Sequence, residues 1–142
     1  MSSDQRRSAL TLWSMASAPL LLGTDVTHLD ATDKAMLTND SVLGVDQDGV
    51  AAKRIVDSGN DEVFSKKVSS GAVVIALFNT GTSSSATMSV SLLGLFPGHA
   101  GISSGKATIT DLWAQKSAGT VSGTYSATLR PGETRLIRAV AA

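Results

Sequence analysis

Cysteine is absent from the 142 residues, and histidine occurs only at His28 and His99. The first absence excludes disulfides, thiolate metal centres and a thiol nucleophile, and the second excludes a histidine-rich metal site. An excess of either charge is missing too. Twelve Lys and Arg balance twelve Asp and Glu, whereas a nucleic-acid-binding domain shows a basic surplus. No apolar run is long enough to span a membrane. Length sets a further limit, since a complete (β/α)8 barrel needs roughly 250 residues and this chain cannot hold one. What is present is a hydrophobic fraction of 42%, enough for a packed core and too high for a disordered chain. Nothing in the composition calls for a cofactor or a metal.

The first fifty residues have the character of an α/β protein. Ala9, Leu12, Trp13 and Ala16 follow the i, i+3, i+4, i+7 spacing of one helical face. Ser2 or Ser3 is placed to cap that helix, with Asp4 in its first turn. Pro19 ends it, because the residue before a proline avoids the α region. Leu20–Leu22 is then a short, continuous apolar strand of the kind found in parallel sheets covered on both faces. A second helix is expected from Asp30, its N-cap, through Met36 to about Asn39. Val42, Leu43 and Val45 extend the apolar character until Asp46-Gln47-Asp48-Gly49 breaks it. Helix, parallel-type strand, helix is a slice of an α/β fold. The same opening also imitates a secretory leader: Arg6-Arg7 precedes an apolar stretch and Ala16-Ser17-Ala18 resembles a cleavage site. Thr11 and Ser14 interrupt that stretch, and its most apolar part follows the supposed cut.

Beyond Gly49 the pattern becomes all β. Lys53–Val56, Val63–Val68, Ala72–Phe78, Thr87–Leu92, Lys106–Trp113, Thr124–Leu129 and Thr134–Val140 read as strands. Ala72–Phe78 (AVVIALF) is apolar throughout and marks a central strand. Thr87–Leu92 alternates, with Met88, Val90 and Leu92 facing inward. Arg130-Pro131-Gly132-Glu133 is a turn between the last two strands. The pattern predicts an antiparallel β-sandwich. The division expected is 1–49 for the α/β remnant and 50–142 for the sandwich.

Few motifs carry chemistry. Gly101-Ile102-Ser103-Ser104-Gly105 matches the G-x-S-x-G nucleophile elbow, but that elbow needs a strand before it, a helix after it and a later His. A loop precedes this one, a strand follows, and no His comes after Ser103, so it reads as a Gly/Ser loop. Asp46-x-Asp48-Gly49 resembles part of a calcium loop but lacks the third oxygen ligand and the closing Glu. Asn39-Asp40-Ser41 is a glycosylation sequon. Asp25 sits just past the expected strand, where barrel active sites cluster, although a short polar residue there also satisfies loop backbone. Trp113 and Tyr125 are potential sugar-stacking platforms, but strand positions in an aromatic-poor chain favour core or interface roles.

Three ordered blocks resemble one family. They are Leu12–Asp25 (LWSMASAPLLLGTD), Val42–Asp48 (VLGVDQD) and Asp111–Ala114 (DLWA) with the closing strands through Arg130-Pro131-Gly132. The first resembles a signature of the clan D α-galactosidases, glycoside hydrolase family 27. The second resembles that family's link from barrel to C-terminal domain, and the third its C-terminal β-sandwich. The resemblance implies a mainly β chain, an antiparallel sandwich preceded by the last helix-strand-helix of a (β/α)8 barrel. It also implies a parent hydrolase that removes terminal α-galactose or α-N-acetylgalactosamine with retention, which needs two carboxyl groups about 5–5.5 Å apart. The motifs of those carboxylates and of the sugar-gripping residues have no match here. The resemblance sets them upstream of Met1, which itself looks like an internal position of a longer enzyme. No catalytic residue is therefore assigned, and Asp25 is the one substrate-binding candidate. The chain alone is expected to be inactive and its sandwich structural, with no nucleic-acid or membrane partner. A secreted parent is compatible with the family, though no segment here makes a convincing leader. A truncated gene, a late start or a designed segment would each account for such a piece. The alternative from a different class is a free-standing sandwich that binds carbohydrate or protein, and such a module has no use for a barrel slice.

Overall fold

The computed structural model describes residues 1–95 and 105–142. Three helices come first: α1 (Ser3–Ala16), α2 (Ala31–Leu37) and α3 (Asp40–Gln47), with a single 3-10 turn at Val26–His28. Eight strands follow: β1 (Lys53–Ser58), β2 (Asp61–Lys67), β3 (Val73–Asn79), β4 (Ala86–Ser91), β5 (Lys106–Asp111), β6 (Lys116–Ser122), β7 (Thr124–Leu129) and β8 (Thr134–Ala141). Six of them form one sheet in the order β1-β2-β3-β8-β5-β6, and β4 and β7 form a separate pair. Every pairing is antiparallel.

The large sheet has a core on each face. On one side Val73, Ile75, Leu77, Ile109, Ile137 and Ala139 meet Met88, Val90 and Leu129 of the β4–β7 pair. On the other, Val74, Ala76 and Leu136 meet Met15 of α1 and Val42 and Val45 of α3. Burial on both faces explains why β3 is apolar at successive positions. It lies between β2 and β8, paired through Ser65–Ile75 and Ile75–Ile137. The β4–β7 pair covers only one face, so β4 alternates: Met88 and Val90 are buried while Thr87 and Ser89 are exposed. Their hydroxyls bond across to Thr128 and Ser126 at 2.9 and 2.7 Å. The turn before β8 is closed by Glu133 N–H donating to Arg130 O at 3.0 Å, with Gly132 at φ 73°.

The first fifty residues differ from the sequence expectation in three ways. Leu20–Leu22 is not a strand, and Leu21 is 89% exposed. A lone apolar tripeptide has no ladder to join, because no parallel neighbour lies beside it. Second, α1 does not bury the face Ala9, Leu12, Trp13, Ala16. It buries Ser8, Thr11, Ser14 and Met15, and Trp13 is 53% exposed. Two of the three buried hydroxyls, Ser8 and Thr11, find partners across the seam, whereas Ser14 Oγ has none among the described residues. Ser8 Oγ donates to Gly132 O at 2.7 Å and accepts from Thr134 Oγ1 at 2.7 Å, and Trp113 Nε1 donates to Thr11 Oγ1 at 2.9 Å. Third, the helix expected from Asp30 to about Asn39 is present as α2, and the apolar Val42–Val45 stretch after it forms an additional helix, α3. Asp30 caps α2 and Asn39 caps α3, accepting from the Ser41 and Val42 amides. At the start of α1 the Ser2 hydroxyl and the Gln5 side chain form a reciprocal capping box, which satisfies two amides that the helix leaves free. Met1 precedes that cap and is exposed.

Candidate functional site

Asp25 caps the 3-10 turn. Its Oδ1 accepts from the Thr27 amide at 2.9 Å and the Thr27 hydroxyl at 2.6 Å, and its Oδ2 lies 2.7 Å from His28 Nδ1. The Thr27 hydrogen bonds, then the contact with His28, hold this carboxyl below the ordinary Asp range. Both side chains are exposed, at 62% and 82%. The loop that carries them is anchored by no strand.

The two candidate aromatics pack against the fold's two cores. Trp113 lies between α1 and the sheet, with Nε1 bonded to Thr11 and the Arg7 guanidinium 5.2 Å from its ring centroid, a distance at which a cation is attracted by the ring face. Tyr125 packs half-buried against the sandwich core, and burial raises its phenol above the ordinary value. The sequon Asn39 is 8% exposed. Its Nδ2 donates to Leu112 O at 3.2 Å and Trp113 O at 3.3 Å, while Oδ1 also accepts from Gln115 Nε2 at 3.0 Å. Asp46 lies in α3 and Asp48 ends it. Asp48 Oδ1 accepts from the Ser69 amide and hydroxyl at 3.0 and 2.8 Å, which lowers its pKa. The Gly101–Gly105 motif lies outside the described residues except for Gly105. Among the described residues no group of three or more His, Asp and Glu is placed to hold a metal, and no helix is long and apolar enough to cross a membrane.

Several clefts open on the surface of the described residues. Met1 lines an open groove of about 510 Å³ with Gln5, Leu12, Phe78 and Pro131. No Asp, Glu or His lines that groove. A polar cleft of about 360 Å³ along the seam between α1 and the sheet is lined by Arg7, Asp111, Trp113, Glu133, Thr134 and Arg135. Its carboxylates are already engaged. Asp111 accepts from the Ala114 amide at 2.9 Å and approaches Arg135 at 3.4 Å, and Glu133 accepts from the Arg130 amide at 2.9 Å. An apolar groove of about 290 Å³ is lined by Leu10, Trp13, Leu20, Leu21, Leu22, Leu37 and Leu43. It holds no titratable group and suits packing rather than catalysis. Sequence reasoning missed one buried charge, Lys66, which is 4% exposed. Its neighbours at two-residue spacing, Phe64 in β2 and Val68 just past it, pack against the same helix-side core, but the lysine itself reads as a surface charge.

This geometry, helices on one face of a six-stranded sheet and the antiparallel β4–β7 pair on the other, is matched by known proteins. The model described as the α-galactosidase C-terminal β-sandwich domain matches residues 58–139. The chain belongs to the α-galactosidase family. A second model, described as α-galactosidase A, matches residues 1–48. The α-galactosidase of Coffea arabica is 33% identical over 140 residues, covering 96% of this chain and 35% of that protein. That of Cyamopsis tetragonoloba is 32% identical over 130 residues, covering 89% and 30%. The structure of α-galactosidase I from Mortierella vinacea superposes with a TM-score of 0.90 at 29% identity, covering 99% of this chain and 36% of that one. The family 27 β-L-arabinopyranosidase of Geobacillus stearothermophilus gives 0.88 at 27%, covering 98% and 30%. The chain thus spans about a third of the length of the curated relatives it matches. Its fold is the family's C-terminal sandwich following a remnant of the barrel.

Proposed function

We propose that this chain works as the C-terminal segment of a retaining α-galactosidase-like hydrolase acting on terminal α-galactosides, and that its sandwich is structural. The observation that carries the reading is the ordered match of two α-galactosidase models, residues 1–48 and then 58–139, on one chain. In this reading residues 1–49 belong to a catalytic barrel and residues 50–142 form the sandwich that supports it. The apolar groove around Trp13 and Leu20–Leu22 is then the surface covered by the rest of that barrel, since exposed apolar patches mark packing surfaces. The nucleophile and the acid/base come from other barrel strands, which precede Met1 in the parent enzyme. Asp25, exposed and held ionised, is the one residue of this chain proposed to lie near substrate.

The test is an assay of the purified chain on an aryl α-galactoside. No turnover is expected, because a retaining mechanism needs a second, correctly spaced carboxyl group. Hydrolysis that one Asp substitution within this chain abolishes would overturn the assignment.

A further inference from the structure

The seam between the helical layer and the large sheet is unusual in its chemistry. Three of the four residues that α1 buries are hydroxylated: Ser8, Thr11 and Ser14. Met15, Val42 and Val45 supply the layer's fully buried apolar contact. At the centre of this seam lies the ammonium of Lys66, on β2. It donates to Ser14 O at 3.0 Å, to Ser17 Oγ at 2.9 Å and to Val45 O. Its three protons thus find three acceptors, on two helices and the residue that ends the first. Ser14 lies in the last turn of α1 and Val45 in the last turn of α3. Ser14 O also accepts from the Ser17 amide that caps α1, at 3.2 Å, whereas Val45 O at the end of α3 relies on the ammonium, and the negative ends of both helix dipoles point at the cation. Ser17 itself adopts a left-handed φ of 49° and donates its hydroxyl to Val50 O at 3.0 Å. The same cluster therefore also fixes the segment that leads into β1. Burial holds the Lys66 amine below the ordinary lysine value, and the nearby carboxylates of Asp48 and Asp46 partly offset this.

We propose that Lys66 is a latch: it fastens α1 and α3 to the sandwich as one unit, and without it that unit lifts off while the sandwich stays folded. An apolar residue at this position would leave Val45 O buried without a donor and Ser14 O with only the 3.2 Å bond from the Ser17 amide, a loss greater than that of an average hydrogen bond. The sandwich core on the far face of the sheet contains none of these groups. Its strands keep their ladder bonds whether or not the helices are docked. The inference concerns the coupling of the two layers and does not depend on the activity proposed above.

Amide hydrogen exchange on the full chain tests it, with Lys66→Met and Ser17→Ala as variants. In Lys66→Met the amides of α1 and α3 should exchange at least about tenfold faster, the loss of one buried donor's worth of stability. Those of β4, β7 and β5 should stay within about twofold of wild type. Ser17→Ala, which keeps the ammonium and removes one of its acceptors, should speed exchange in the same helices by a smaller factor. Unchanged helix protection in both variants would overturn the proposal. So would an equal loss through helices and sandwich, or a Lys66→Met chain that does not fold at all, since either means that the layers are not separable.

Discussion

Ile75 and Val74 are neighbours on β3 that face opposite cores, so aspartate placed at each probes one core at a time. Ile75 is fully buried against the β4–β7 pair, and Val74 is 1% exposed beneath the helices. Ile75→Asp removes a fully buried apolar side chain, about 1.5–3 kcal/mol. The new carboxyl must then stay neutral in a dry core. Holding at pH 7 a proton that water would take up only near pH 3.9 costs about 4 kcal/mol. The sum, about 6 kcal/mol, rivals the whole stability expected of a domain, about 5–15 kcal/mol. The sign follows from linkage. The folded-state pKa of this carboxyl is raised, so the destabilisation is smallest below about pH 4 and grows as pH rises towards the folded pKa. Val74→Asp carries a similar gross cost but has a way out, because lifting the helical layer hydrates the carboxylate. Its net loss is therefore capped by the docking energy of that layer and should be the smaller of the two. Urea and thermal unfolding followed by far-UV circular dichroism at pH 4 and pH 7 provide the assay. An Ile75→Asp protein that melts like wild type at pH 7 would refute the central placement of β3, and a loss that shrinks as pH rises would refute the buried-carboxyl argument.

Two further outcomes follow from single side chains. Asn39→Ala removes the cap of α3 together with the donors to Leu112 O and Trp113 O, so stability should fall by about 2 kcal/mol or more in urea titrations. Loss within experimental error would mean that the link between α3 and the strand end at Leu112 contributes nothing. Asp48 has a lowered pKa from its bonds to Ser69, so its contribution is present above the unfolded value of about 3.9 and disappears as pH falls through the lower folded value. Asp48→Asn should therefore flatten the acid limb of the stability curve below about pH 4, and an acid limb identical to wild type would contradict the assignment.

Wherever burial follows the chain's own period, the sequence alone determined the structure. The alternation of Met88, Val90 and Leu92 placed β4 on one core, the unbroken apolar run of β3 marked a strand covered on both faces, and Arg130–Glu133 located the last turn. The three family-like blocks were equally legible, because they are strings of residues rather than contacts. Tertiary structure decided what depends on partners distant in sequence. Strand β6 has one large apolar residue, Val121, and exists as an edge because β5 offers it a ladder. Leu20–Leu22 has the composition of a strand and no neighbour to pair with, so it stays outside any sheet. The α1 face that looked apolar is turned largely outward, because Gly132 O, Thr134, Trp113 and Lys66 wait on the sheet for hydroxyls and helix-end carbonyls. Lys66 itself reads as a surface charge until two helix ends, contributed from 21 and 52 residues away, close over it. Local pattern reports which side chains avoid water, whereas the pairing of a buried polar group is set only when the chain brings its acceptor to it.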